Sequence, residues 1–193
     1  MDKELTKKMI ANTSVKTAEY VCIDIDTKEV EDICNKIKIP CVVKPCSAGS
    51  SAGVTIVQTR EELEQAISLA KKYEDRILIE DYIEGREFSV GVLNGKSLPP
   101  IEIIPKEGFY DYKNKYQPGL TEEICPAELS EEETRLLGNL SLEAFSELGL
   151  KDYARIDFMY DGKDFYCLEA NTLPGMTPTS LLPQEAAAIR NVI

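Results

Sequence analysis

The stretch FYCLEANTLPGM, residues 165–176, sets a carboxylate and an amide, Glu169 and Asn171, two positions apart on a run that otherwise reads as a strand. Side chains at i and i+2 of a strand share a face, so both point the same way. Upstream, RIDF does the same with Arg155 and Asp157. DGKD between the two runs is a hairpin signal. If its loop is odd in length, the two polar faces coincide, with Ile156, Phe158, Leu168 and Ala170 behind them. Two carboxylates and an amide oxygen are hard ligands that suit Mg²⁺, which completes its octahedron with water and phosphate oxygens. A salt-bridged face on an antiparallel sheet has the same spacing, and spacing alone leaves both readings open.

Two other stretches carry chemistry. In CVVKPCSAGSSAGV, 41–54, Lys44 ends a strand and a Gly/Ser run follows, able to approach phosphates with backbone N–H groups. It is not a Walker A loop, because the Gly-Lys-Ser/Thr ending is missing and a strand follows where that motif needs a helix. A plain hairpin loop is the competing reading. In LIEDYIEGREF, 78–88, Glu80 and Glu87 bracket a strand exit, an arrangement for adenine and ribose or simply two solvated glutamates.

The elements that must position these residues follow from periodicity and punctuation. Residues 2–12 read as a short helix, and 28–38 as an amphipathic one with Val30, Ile33, Cys34 and Ile37 on one face. CVVK and VTIV form a hairpin over 41–57, Thr59 caps a helix over 60–73, and 76–83 is a strand. FSVGVLNGKSL alternates with period two around an Asn94-Gly95 turn, and IEIIP is a further strand. Residues 106–126 read as a long loop. Ser130, with Glu133 three residues on, is a capping box for a helix that Gly149 ends. The character shifts to antiparallel sheet near Gly85, so the expected division is 1–84 and 85–193.

Bulk properties exclude several classes. The 193 residues have 43% apolar and 29% charged side chains, a globular composition. No histidine is present, which excludes Ser-His and Cys-His catalysis. The six cysteines form no C-x-x-C pair, so finger-type zinc sites are not expected. Cys22, Cys41 and Cys167 read as structural thiols in apolar runs. The net charge of −12 argues against nucleic-acid binding. There is no run long enough for a membrane span and no signal-peptide h-region, so the expected location is cytoplasmic.

Taken together and in order, VVKP…AGSSAGV, LIEDYIEGREFSV, FYDYKNKY, CPA, ARIDF and LEANTLPGMTPTSLLP resemble the D-alanine–D-alanine ligases of the ATP-grasp superfamily. The likeness runs from the initial MDK to about Gln184. It implies an α+β ATP-grasp fold, with two α+β subdomains whose antiparallel sheets grip ATP between them. It also implies synthesis of D-alanyl-D-alanine for peptidoglycan, with D-alanine as donor and acceptor and a D-alanyl phosphate as intermediate. The implied cofactors are ATP and two Mg²⁺ (or Mn²⁺).

Residue by residue, the resemblance implies that Lys3 and Lys44 contact ATP phosphates. Glu80 and the backbone near Ile83 would hold adenine, and Glu87 the ribose hydroxyls. Lys115 would lie in an ω-loop that closes over the γ-phosphate. Asp157, Glu169 and Asn171 would bind the two ions, with Glu169 bridging. Arg155 would stabilise the acyl phosphate and the tetrahedral oxyanion. Ser180 and Leu181 would hold the acceptor, and Ser50 and Tyr116 resemble two members of a hydrogen-bonded triad.

Family members carry a further N-terminal domain before the MDK segment. It supplies much of the donor site, the glutamate partner of Ser50 and Tyr116, and most contacts of the usual homodimer. The resemblance therefore covers the central and C-terminal domains only. Two alternatives follow: a nucleotide- and Mg-binding fragment without ligase activity, and a D-Ala–D-Ser type ligase. D-lactate relatives tend to place a histidine near Lys115-Tyr116, and this chain has none.

Overall fold

A computed structural model describes residues 2–24, 36–49, 51–106 and 121–190. The helix expected over 28–38 lies almost wholly outside these residues.

Two antiparallel sheets organise the molecule. The first runs β1-β4-β2-β3, from β1 (Tyr20–Asp24), β2 (Cys41–Pro45), β3 (Thr55–Val57) and β4 (Arg76–Asp81). Its β-branched residues alternate, so Val43, Ile77, Ile79, Ile23 and Val57 fall on one face. There they pack on Leu63, Ala66 and Ala70 of α2 (Arg60–Ala70), which Thr59 and Glu62 cap reciprocally. The opposite face carries Val42, Lys44 and Glu80.

The second sheet runs β10-β9-β5-β7-β8, with β6 added to β5. Its strands are β5 (Arg86–Leu93), β6 (Lys96–Ser97), β7 (Ile101–Pro105), β8 (Thr121–Ile124), β9 (Tyr153–Tyr160) and β10 (Phe165–Asn171). Asn94 and Gly95 take positive φ of 49° and 73° at the β5–β6 turn, the backbone that an Asn-Gly hairpin requires. Phe88, Val90, Ile156, Phe158, Phe165 and Cys167 form one buried face. It packs on Leu137, Leu140 and Ala144 of α3 (Glu131–Glu147), whose N-cap Ser130 accepts from Glu133 N–H at 3.2 Å. The stretch 106–126, expected to be loop, contains β8, whose residues pair antiparallel with β7. Thr-Glu-Glu-Ile has no apolar alternation to announce a strand; its ladder partner supplies the order.

Helix α1 (Lys3–Ile10) ties the sheets together. Its first residue donates N–H to Cys46 O at 2.8 Å in the first sheet's loop, while Ile10 joins the second sheet's core. Residue 16 then runs beside β10, where Cys167 N–H donates to Lys16 O at 2.8 Å. A last helix, α4 (Leu181–Arg190), lies on the other face of the second sheet, with Leu181 against Ile101 and Ile103.

Candidate active site

The hairpin that carries the polar patch does not meet the simplest condition for it. Tyr160 pairs with Phe165, so the turn has an even loop, 161–164. Continued regularly, that register would place Glu169 opposite Ile156, on the core side. A bulge between Cys167 and Glu169 shifts the ladder by one, so Glu169 pairs with Asp157 and Asn171 with Arg155. A bulge adds one residue to one strand and re-aims the side chains after it. Leu168, expected behind the patch, is the displaced residue and lines the cleft instead.

Asp157, 5% exposed, is held on both oxygens. Oδ1 accepts from Ser89 Oγ at 2.8 Å and Arg155 Nε at 2.9 Å; Oδ2 accepts from Arg155 Nη2 at 2.8 Å and Asn171 Nδ2 at 2.9 Å. Burial works against the Arg155 charge, but Asp157, Glu169 and Glu185 outweigh it and hold the guanidinium proton far above its ordinary range. Two carboxylates and an amide on one face fit a hard divalent cation. Among the described residues no set of three Asp, Glu, His or Cys is arranged to hold an ion. Two carboxylates with an amide leave part of an ion's shell to water or phosphate, the coordination that Mg²⁺ takes.

Across the cleft stands a cationic cluster. Lys44 and Glu80, both on the open face of the first sheet, pair at 2.5 Å although they are only 6% and 4% exposed. Lys7 Nζ lies 2.9 Å from the other oxygen of Glu80. That oxygen accepts no well-angled hydrogen bond, so the contact is an ion pair only. Burial opposes the Glu80 charge, and the two lysines overcome it to keep the carboxyl below its ordinary value. Lys3 donates to Ala48 O at 2.7 Å and lies 3.9 Å from Glu169 Oε2, spanning both sheets.

One cleft is lined by Lys3, Lys44, Glu80, Ile83, Glu87, Asp157 and Glu169. Arg155 and Asn171 join it through Asp157. Ser180 and Leu181 sit apart at the start of α4. Gly175 makes room for Ser180, since a Cβ there would stand 2.6 Å from its Oγ. Leu181 is buried, 4% exposed, and its side chain is part of the core. Ser50, Lys115 and Tyr116 lie outside the described residues.

At the site, the buried polar residues Lys7, Ser89 and Glu185 escaped sequence reasoning. Lys7 could have been found as the i+4 neighbour of Lys3 on one helix face, and Ser89 as the i+2 neighbour of Glu87 on a strand. Glu185 sits in the apolar run LLPQEAAA without any such signal. It is fully buried, and its Oε2 accepts from Gly91 N–H at 2.6 Å. Burial, with the charge of Asp157 adding to it, pushes its carboxyl up to about 8.

Two antiparallel sheets, each backed by helices, with a lysine-bearing wall facing a carboxylate-bearing one, define the ATP-grasp architecture. The chain belongs to the family described as D-ala D-ala ligase C-terminus, whose model matches residues 9–189. It is 42% identical over 190 residues to the D-alanine–D-alanine ligase of Syntrophotalea carbinolica, a match covering 98% of this chain and 61% of that protein. It is also 42% identical over 189 residues to the ligase of Aquifex aeolicus, covering 96% and 63%. Among solved structures, the Bacillus anthracis ligase complexed with ATP superposes with a TM-score of 0.84 at 32% identity, covering 98% of this chain and 60% of that one. The VanG D-Ala:D-Ser ligase of Enterococcus faecalis gives 0.88 at 28% identity, covering 98% and 57%. The chain thus spans about 60% of the length of these relatives. Among the described residues, no helix is long and apolar enough to cross a membrane.

Proposed function

We propose that the cleft binds ATP with divalent metal ions, and that this chain carries the nucleotide-, metal- and acceptor-binding part of an ATP-dependent D-alanine–D-alanine ligase serving peptidoglycan synthesis. The carrying observation is the convergence of Lys3, Lys44, Glu80, Ile83, Glu87, Asp157 and Glu169 on one cleft. The segments 1–84 and 85–193, each built round one sheet, are the two grips.

In this reading Lys3 and Lys44 hold phosphate oxygens, Glu80 and the backbone near Ile83 take the adenine, and Glu87 takes the ribose hydroxyls. Asp157, Glu169 and Asn171 would hold two Mg²⁺ or Mn²⁺, whose charge would neutralise the phosphoryl oxygens. The donor D-alanine carboxylate accepts the γ-phosphoryl group to give an acyl phosphate. The acceptor amine attacks it, and phosphate leaves the tetrahedral intermediate. Arg155 stabilises the oxyanion, where pre-aimed charge is most effective. Ser180, through its hydroxyl, and the Leu181 N–H at the start of α4, which has no intrahelical acceptor, meet the acceptor carboxylate. Lys115 closes over the γ-phosphate, and Ser50 and Tyr116 link the two loops, excluding water from the acyl phosphate. The reading includes a cytoplasmic location and the homodimer usual among full-length family members.

A second reading, a nucleotide- and metal-binding fragment without ligase activity, is favoured by the share of the relatives that the chain spans. The VanG likeness keeps a D-serine acceptor in play. Calorimetry with Mg-ATP tests the site itself, and absence of any binding overturns it. ADP release on adding D-alanine, alone or with D-serine, then separates ligase from fragment and one acceptor from the other.

A further inference from the structure

Helix α1 is inside out. Its buried stripe is Lys3, Thr6, Lys7 and Ile10, while Leu5 and Met9 are 54% and 37% exposed. An amphipathic helix ordinarily buries its apolar side. Here two ammonium groups take that place. The role of Lys3 is accounted for by the cleft it lines. Lys7 does not line the cleft, yet it is 2% exposed. A buried lysine must be paired to remain charged.

From this we infer that Lys7 is a positioning residue for nucleotide binding: the stationary counter-ion of Glu80, which lets Lys44 turn to phosphate without stranding a buried carboxylate. This rests on reading the cleft as an ATP site. Lys7 is fixed from three sides. Its Nζ is 2.9 Å from Glu80 Oε2, donates to Ala18 O at 3.1 Å, and lies 5.1 Å from the Tyr20 ring centroid. Lys44 is held differently. Among the described residues its ion-pair partner is Glu80 alone, through the other oxygen, and it borders the cleft.

Glu80 therefore has one fixed and one releasable cation. With Lys7 present, the departure of Lys44 leaves a neutral buried pair. Without Lys7, the same departure leaves an uncompensated carboxylate that is 4% exposed, which is strongly unfavourable. Lys44 would then stay on Glu80 and be lost to the phosphates. Lys7 acts through Lys44 and touches no ligand itself.

The test is a double-mutant cycle read by calorimetry with Mg-ATP and with adenosine, on this chain and on its Lys7→Met, Glu80→Gln and Lys7→Met/Glu80→Gln variants. The expected result is that Lys7→Met weakens Mg-ATP at least tenfold and leaves adenosine within about twofold. In the Glu80→Gln background the same change should alter Mg-ATP affinity less than twofold. An equal loss in both backgrounds, or a parallel loss for adenosine, makes Lys7 a packing residue and overturns the inference. Should Lys7→Met alone fail to fold, Lys7→Arg takes its place: it keeps a fixed cation beside Glu80, so Mg-ATP affinity within about threefold of the unaltered chain is expected, and a tenfold loss makes Lys7 a packing residue and overturns the inference. If the unaltered chain binds no Mg-ATP, the nucleotide reading itself falls, an outcome distinct from intact binding that ignores Lys7.

Discussion

On one side of the cleft Lys7 and Lys44 pair with a single carboxylate, Glu80, while Lys3 beside them reaches across to Glu169; on the other, Asp157 and Glu169, with Glu185 behind them, share Arg155. Both walls are polar clusters on the open face of an antiparallel sheet, but their charge excess is opposite. The cationic wall is the drier. Its lysines are desolvated, and burial lowers the Lys3 and Lys7 ammonium groups below their ordinary range despite Glu169 and Glu80. Buried cations with one anion among them suit a ligand that brings negative charge. The anionic wall keeps Glu169 and Asn171 partly exposed, which suits their proposed role in holding an ion that keeps part of its water. In the proposed function, the positive and negative charges of a metal-bound triphosphate would complement the two walls in turn.

The sharpest way to break this comparison is Glu169→Gln, which removes the carboxylate proposed to bridge the two ions and leaves the strand intact. Metal-dependent turnover, assayed in a full-length ligase context, should fall by roughly a hundredfold or more, the scale of several kcal/mol of lost charge stabilisation. Unchanged turnover sinks the metal assignment. Lys44→Ala probes the other wall. Mg-ATP affinity measured by calorimetry should drop by about ten- to a hundredfold, as expected for a charge-assisted contact, with Glu80 still neutralised by Lys7.

Glu185 sharpens the anionic side. Its carboxyl is raised to about 8 from an ordinary 4.5, so between these values the folded protein keeps a proton that the unfolded chain releases. Stability should be greatest below about pH 4.5 for this group and decline as pH rises towards 8, by an amount on the order of a few kcal/mol. Glu185→Gln should flatten that part of a urea-unfolding series between pH 5 and 8. A slope identical to that of the unaltered chain would refute the raised carboxyl. The smallest effect belongs to a residue remote from both walls. Ser130→Ala removes an N-cap and should cost about 1 kcal/mol in thermal unfolding, with nucleotide affinity unaltered.

Much of the frame was legible in advance because local rules dictate it. The Asn94-Gly95 turn, the Ser130 capping box and the β9–β10 hairpin each rest on residues close in sequence. Strand β8 and helix α4 are not announced by the sequence, and β1 only as the strand-like run around Cys22. Their residues carry weak periodicity and gain order from neighbours far along the chain. In the site, every expected nucleotide and metal residue that the structure describes lies in the cleft or is hydrogen-bonded to a residue that lines it. Lys7, Ser89 and Glu185 went unseen, since what marks them is burial.

By itself, the sequence determined the types and order of the polar residues, their two-residue spacing and the turns between strands, all consequences of backbone sterics and local hydrogen bonding. Only the tertiary structure decided that Glu169 faces Asp157, because a bulge at Leu168 offsets an even loop. It alone decided that α1 turns Lys3 and Lys7 inward, because carboxylates from distant strands, Glu169 and Glu80, wait there as their counter-charges. Pairing energies of buried charges depend on distance and dielectric, and neither is written in the order of the residues.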